Sequence, residues 1–333
     1  MQGIESPAVE VSVVVPAFNE QGSIADLCVT LVGMLERHAS SFEIVVVDDG
    51  SSDETARVVR RMASADPRVR LLELTRNFGK ESALTAGLAA SAGSAVLLLD
   101  ADFQHPPDLV PSMIDAWRDG YEVVNAHKVS RGAEPFAYGL MSRLFNHLMS
   151  AAIGQDMDGA SDFKLLDRQV VDAVLACQER HRFFRGIVSW VGFRVTSIDF
   201  AVETRRTGRS NWKVGQLLAY SLSNIVAFTS APLLLVAFTG FLAVLLGILL
   251  LVQTLYTYFN GSAAVGFTTV IAVQILIGGM ILLSVGIVAI YVAQLYDESK
   301  RRPLFFVRRG SGGGGVESVG ASRRSAGEDT VAP

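Results

Sequence analysis

Charge is missing from one long stretch of this 333-residue chain: residues 214–296 contain no Asp, Glu, Lys, Arg or His. That absence excludes an ordinary water-exposed C-terminal third. It leaves room for two helices of the ~20 apolar residues that cross a hydrocarbon layer of ~30 Å. Cysteine is equally scarce. Only Cys28 and Cys177 occur, in separate segments, which offers neither a disulfide framework nor a zinc site. Both read most simply as apolar fillers in a reducing compartment. Residues 1–15 lack a basic region followed by a long apolar run, so no cleavable signal peptide is expected. A net charge of −4, without a basic and aromatic-interleaved segment, gives no argument for nucleic acid as a partner. No G-x-G-x-x-G follows the first apolar run, which removes a dehydrogenase of Rossmann type.

What is present begins with composition. Half the residues are apolar and the mean hydropathy is +0.35, a balance that points to a membrane. Two helices are expected at about 230–258 and 265–295, joined by a short turn-forming link into an antiparallel hairpin within 230–296. Arg205, Arg206, Arg209 and Lys213 precede it, and Lys300, Arg301, Arg302, Arg308 and Arg309 follow it. By the positive-inside rule both ends then lie on the cytoplasmic face, so an integral protein of the cytoplasmic (inner) membrane is expected. Gly247, Gly278, Gly279 and Gly286 would allow close helix approach, within the chain or between copies of a homo-oligomer. Simple tolerance of Gly in membrane helices explains them equally well. Around the hairpin we place a cytosolic domain at 1–213, whose acceptor-side helices span 136–213, and an interfacial amphipathic helix at 214–229. A basic juxtamembrane segment at 297–309 and a Gly- and Ser-rich disordered tail at 310–333 follow.

In front of the hairpin, strands and helices alternate. Strands are expected at 11–16, 43–47, 69–74 and 95–99, and helices at 23–37, 53–65 and 81–91. This rhythm predicts an α/β domain with a mostly parallel sheet covered by helices on both faces. The fourth strand runs straight into Asp100-Ala101-Asp102, at the carboxyl end where open α/β sheets place their ligands. Alternation would turn both aspartates to one side. Carboxylate oxygens suit hard cations such as Mg²⁺ or Mn²⁺, which need only one or two of them besides substrate phosphates. The second strand ends in Asp48-Asp49-Gly50-Ser51-Ser52-Asp53, where carboxylates can take ribose hydroxyls and Ser52 or Asp53 can cap the next helix.

Four motifs occur in a telling order: Pro16-Ala17-Phe18-Asn19-Glu20, Asp48-Asp49-Gly50-Ser51, Arg76-Asn77-Phe78-Gly79-Lys80, and Asp100-Ala101-Asp102-Phe103-Gln104-His105-Pro106-Pro107. Together they resemble the family 2 glycosyltransferases of GT-A fold. They are most similar to the branch of dolichyl-phosphate mannose synthase and the bacterial polyprenyl-phosphate (bactoprenol) glucosyltransferases, and the similarity extends to about residue 309. The resemblance implies a GT-A (Rossmann-like) nucleotide-sugar domain, with Pro16, Glu20, Asp49, Arg76, Lys80 and Asp100 around the nucleotide sugar. Asp100 and Asp102 would serve a divalent metal on the diphosphate, and Gln104 would lie beside the sugar phosphate.

The stretch Ser161-Asp162-Phe163-Lys164, followed by Arg182-Phe183-Phe184-Arg185-Gly186, looks like the acceptor side of the glucosyltransferase members. Asp162 is then a third active-site carboxylate, catalytic with Asp102 and Gln104. Arg185 would receive a phosphate bidentately. An ordinary salt bridge or helix cap is the bland alternative for both. Arg131 and Arg143 are placed near the acceptor phosphate, on or beside an amphipathic segment at 138–153 that would lie in the membrane interface or pack in the domain. The family's Gly-x-Ser-Lys element reads Gly208-Arg209-Ser210-Asn211-Trp212-Lys213 here. Asn211 stands at the usual Lys position, leaving Arg209 or Lys213 to supply the charge.

The implied reaction is an inverting transfer of a hexose from a nucleotide sugar to a polyprenyl phosphate. UDP-glucose is the first choice of donor and GDP-mannose the second. A hydroxyl acceptor would need a general base, whereas a lipid phosphate is already anionic, and no conspicuous base motif is found. A glycosyltransferase acting on a protein or diacylglycerol hydroxyl, and a membrane-anchored nucleotide-sugar-binding scaffold without turnover, are the alternatives.

Overall fold

The computed structural model describes residues 9–103, 105–128, 160–180, 182–200, 231–260 and 267–308. It divides into two compact units, residues 1–212 with 302–333 and residues 213–301.

The first unit is built on a seven-stranded sheet in the order β3-β2-β1-β4-β6-β5-β7. Its strands are β1 (Val9–Ala17), β2 (Phe42–Asp48), β3 (Val69–Glu73), β4 (Gly93–Leu98), β5 (Val123–Lys128), β6 (Ala160–Asp167) and β7 (Val195–Phe200). The first four are parallel, running 3-2-1-4. Their order follows from the intervening helices α1 (Ile24–His38), α2 (Thr55–Ala65) and α3 (Lys80–Ala90), each a crossover that returns the chain in the same direction. β6 alone is reversed, antiparallel to both β4 and β5, while β7 is parallel to β5. The sheet is mostly parallel, as expected from the sequence, with the single reversed strand β6 on one side. The acceptor-side range, expected as helices, also contains β6 and β7.

β1, β2 and β4 lie in the middle of the sheet and are apolar on both faces, as buried parallel strands must be. On one face Val11, Val13, Val15, Ile44, Val46, Leu97 and Leu99 meet Leu27, Leu31 and Leu35 of α1, with Val110, Met113 and Ile114 of α4 (Val110–Arg118) in the same core. On the other face α3 sits so close that a Cβ at Gly87 would come within 2.2 Å of Val14. A larger residue there would push the helix off the sheet. α5 (Arg168–Ala176) and α6 (Phe184–Trp190) complete the unit. α5 starts at an Asp167 N-cap that accepts the Gln169 N–H at 2.9 Å, the helix-start chemistry expected of Asp.

Residues 303–308 rejoin this unit. Phe305 is buried there, and Val307 forms an antiparallel bridge with Leu74, at the end of the β3 edge strand. The range expected as a basic juxtamembrane segment is thus part helix and part an added strap on the sheet.

The second unit holds α7 (Ala231–Phe259) and α8 (Phe267–Ser299), which touch each other. Their apolar spans, Val236–Thr257 and Val273–Ser299, have mean hydropathies of 2.5 and 2.6. Leu, Ile, Val and Phe side chains are exposed along both helices, the pattern of helices that are apolar all round.

Candidate active site

The C-terminal ends of β1, β2 and β4 open onto a cavity of about 370 Å³ lined by Pro16, Phe18, Glu20, Asp49, Asn77, Gly79, Lys80, Asp100 and Asp102, among others. This is the size range of small-molecule sites, ~300–1,000 Å³. β4 ends at Leu98, and Asp100, Ala101 and Asp102 form the turn beyond it. Strand alternation therefore does not govern the two aspartates, as the sequence pattern had implied. Both line the cavity because the turn carries them there, with Phe103 in a left-handed conformation (φ 57°).

Three loops are stitched together around the opening. Asn19, also left-handed at φ 58°, accepts the Ser52 N–H at 2.9 Å, and its own N–H donates to Ser51 Oγ at 2.9 Å. The Glu20 N–H donates to Thr55 Oγ1 at 2.9 Å, and the Glu20 carboxylate accepts the Ser23 hydroxyl at 2.8 Å. Asp49 accepts two backbone N–H groups, Phe78 at 2.7 Å and Gly79 at 2.9 Å. Burial raises the Asp49 pKa, against the pull of these two donors. Gly50 has φ +69°, and a Cβ there would stand 2.5 Å from the Arg76 carbonyl carbon. Only glycine lets the second and third loops approach this closely.

The charged core of the site joins α3 to β4 and β6. Because β6 is antiparallel and Leu98 is paired with Lys164, the register carried two residues on sets Asp162 opposite Asp100. Lys80, the first residue of α3, bridges them, with Nζ 2.7 Å from Asp100 Oδ1 and 2.6 Å from Asp162 Oδ2. Arg185 Nε donates to Asp162 Oδ1 at 2.5 Å. Burial opposes ionisation of Asp162, but Arg185 and Lys80 outweigh it and hold its carboxyl well below the usual range. Asp100 is likewise lowered, burial being overcome by His105 and Lys80; His105 Nε2 lies 3.6 Å from Asp100 Oδ2. Burial works against the Lys80 ammonium too, yet the two carboxylates raise its pKa.

Two further groups beside this cluster were not singled out from the sequence, although Lys164 lies inside a quoted stretch. Glu81 accepts the Phe184 N–H at 3.1 Å, and burial, reinforced by repulsion from Asp162, pushes its pKa up to about 7. Lys164 donates to Asn125 Oδ1 at 2.6 Å; burial and then Arg185 lower its pKa to about 8. Asn77 and Phe18 line the cavity inside quoted motifs without having been singled out. Arg76 lies over the Phe78 ring, 4.7 Å from its centroid, and is not among the lining residues. Gln104, Arg131, Arg143, Arg209 and Lys213, with the amphipathic ranges 138–153 and 214–229, lie outside the described residues.

Among the described residues no three His, Cys, Asp or Glu side chains group as a metal cage. Asp100 and Asp102 still fit a divalent cation of the Mg²⁺ or Mn²⁺ kind, because such ions take one or two carboxylates and complete their shell with phosphate oxygens. The Lys80 ammonium on Asp100 shows that this carboxylate already attracts positive charge.

Comparison with known proteins agrees with this chemistry. The family described as "Glycosyl transferase family 2" matches residues 12–175. A relative from Bacillus subtilis (strain 168), "Uncharacterized glycosyltransferase YkcC", is 34% identical over 306 residues, covering 91% of this chain and 95% of its own length. The chain belongs to glycosyl transferase family 2. This family 2 enzyme is also similar to the "Prophage bactoprenol glucosyl transferase homolog" of Escherichia coli (strain K12), 30% identical over 312 residues, 90% of this chain and 99% of the relative. "Bactoprenol glucosyl transferase" of Shigella phage SfV is 31% identical over 311 residues, 90% of this chain and 98% of the relative. Among solved structures, glucosyl-3-phosphoglycerate synthase from Mycobacterium tuberculosis, in complex with Mn²⁺, UDP and phosphoglyceric acid, matches with a TM-score of 0.50 at 21% identity. It covers 66% of this chain and 77% of that one. The GT-A fold expected from the motifs is the fold observed. The chain is a glycosyltransferase.

Proposed function

We propose that this enzyme transfers glucose, with inversion, from UDP-glucose to a polyprenyl phosphate. The observation that carries the reading is the Asp162 cluster, in which two cations, Lys80 and Arg185, converge on one carboxylate opposite Asp100. An anionic acceptor calls for such cations. A carboxylate held below its usual range is a poor general base at neutral pH, which fits a lipid phosphate that has no proton to lose. The relatives named bactoprenol glucosyl transferase support the same lipid class, and two all-round apolar helices suit an enzyme whose acceptor lives in a membrane.

In this reading Glu20 and Asp49 shape the nucleotide pocket, and Asp100 and Asp102 would hold the divalent cation. When bound, that cation would supply positive charge to the diphosphate. A phosphate oxygen of the acceptor attacks the anomeric carbon, the bond from that carbon to the UDP oxygen breaks, and UDP leaves with the electron pair. Asp162 fixes Lys80 and Arg185 where the two anions meet, and positioning plus charge stabilisation carry the step.

The test is a donor and acceptor matrix on the purified full-length chain with Mn²⁺ or Mg²⁺. Labelled UDP-glucose or GDP-mannose is supplied with polyprenyl phosphate or with diacylglycerol. Label entering lipid from UDP-glucose with polyprenyl phosphate alone is the expected result. Transfer to diacylglycerol would transfer the assignment to a hydroxyl acceptor, label from GDP-mannose would replace the sugar, and no turnover in any arm would leave a binding scaffold.

A further inference from the structure

The strap at residues 303–308 lies against the loop that leads into the nucleotide cavity. Its backbone is tied to the end of β3 twice: the Thr75 N–H donates to Phe306 O at 2.9 Å, and the Arg308 N–H donates to Glu73 O at 2.8 Å. Phe305 anchors it in the core, 1% exposed. Phe306 faces the other way, with its ring 6.3 Å from that of Phe78 at an interplanar angle of 51°. Arg76 covers the same Phe78 ring, so the ring is engaged by both Arg76 and Phe306.

Phe78 sits where the 76–80 loop is tied to Asp49. Its N–H and that of Gly79 are the two donors to Asp49, and Asn77, Gly79 and Lys80 line the cavity directly. Gly79 has a positive φ of 97° and starts α3, whose first residue is the Lys80 that bridges Asp100 and Asp162. A shift of Phe78 therefore moves three cavity residues together, along with the partner of Asp49.

We propose that Phe306 is a positioning residue for the nucleotide sugar. It props the 76–80 loop from a strap that follows the apolar helices in the chain, so that donor affinity depends on a segment more than 220 positions away from the loop it supports. The proposal rests on reading the cavity as the donor site. Phe306 touches no substrate in this account; it acts through Phe78. Phe306 is 48% exposed, so truncating it opens little cavity in the core.

The experiment compares the full-length wild type with Phe306→Ala, Phe306→Tyr and Arg308→Pro, the last removing the N–H donated to Glu73. UDP and GDP binding are measured by calorimetry with Mg²⁺, donor KM and kcat by turnover, and local order by hydrogen exchange of the peptide spanning 74–80. Phe306→Ala is expected to weaken nucleotide binding and raise donor KM by up to about tenfold, the most that one aromatic pair contributes, with kcat little changed and exchange at 74–80 faster. Phe306→Tyr should restore affinity, and Arg308→Pro should shift it in the same direction as Phe306→Ala. Unchanged affinity in Phe306→Ala overturns the proposal while leaving the donor site standing. Equal losses in kcat and thermal stability without a KM change overturn it as well, because they mark a structural role only. Absence of UDP and GDP binding in the wild type would overturn the donor-site reading and this proposal together.

Discussion

Around Asp162 three acids, Asp100, Asp162 and Glu81, meet three bases, Lys80, Arg185 and Lys164, and the balance of burial against pairing sorts their roles. Asp100 and Asp162 stay ionised because Lys80 and Arg185 sit on them. Among the described residues Glu81 makes no ion pair; it accepts a backbone N–H from Phe184, and burial and the like charge of Asp162 outweigh the more distant pull of Lys80 and Arg185. Its folded-state pKa of about 7 stands above that of the unfolded chain, so the folded state binds this proton more tightly. Stability then falls as pH rises from about 4.5 towards 7, and the cost is fully present above 7. With each tenfold step near 1.4 kcal/mol, that cost is about 3 kcal/mol. Glu81→Gln keeps an acceptor for the Phe184 N–H and removes the charge. It should raise the melting temperature at pH 8 and leave it unchanged near pH 4; a pH series of melting curves reads both. Asp102 carries the opposite expectation. Asp102→Ala should leave melting intact and lower transfer by about 100-fold or more, the scale of losing a charge-stabilising group at the reacting centre. Near-normal turnover in that variant would remove the metal assignment.

At the scale of elements, the two ends of the sheet do different work. The carboxyl ends of the strands form the cavity. The amino ends are closed by a buried network in which Glu43 of β2 accepts from the Ser12 hydroxyl of β1 at 2.7 Å, the Ala92 N–H at 2.6 Å and Arg70 of β3 at 2.5 Å. Ser12 in turn accepts the Gly93 N–H at the start of β4, at 2.8 Å. One carboxylate thus ties four neighbouring strands together, and its pairing outweighs the burial that would raise its pKa. Glu43→Ala leaves Arg70 and buried donors unpaired and should cost about 3–5 kcal/mol in unfolding free energy. Denaturant titration measures it, and turnover per folded molecule should stay unchanged, since the network lies at the end of the strands away from the cavity. The same elements explain what was legible. β1 to β4 and α1 to α3 were readable because short apolar runs of strand length alternate with longer stretches of helical pattern, most of them separated by turn-forming residues. β6 was not, because the reversal of a strand leaves no mark on its side-chain pattern. Asp162 could be singled out by resemblance, yet only the antiparallel register puts it across from Asp100.

At the scale of the molecule, the charge-free run 214–296 contains α7 and most of α8, two helices with apolar side chains exposed along their length. In water such surfaces have no partner, whereas a helix satisfies its own backbone hydrogen bonds and can cross lipid. We therefore expect the chain to remain in the membrane pellet after alkaline carbonate extraction; release into the supernatant would remove the bilayer reading and with it the reason for a polyprenyl acceptor.

By itself the amino-acid sequence determined the α/β class, the order of the four motifs, the glycosyltransferase chemistry and the two apolar spans. These depend on residue type and on local spacing, and both survive in one dimension. The tertiary structure alone decided which charges meet and which segments are neighbours. Lys80 between Asp100 and Asp162, Glu81 behind them with its proton held near neutrality, and Phe306 against Phe78 all join residues that are distant in sequence or whose burial is set by other elements. Pairing and desolvation are properties of three-dimensional surroundings, so they were settled only when the reversed β6 and the 303–308 strap took their places on the sheet.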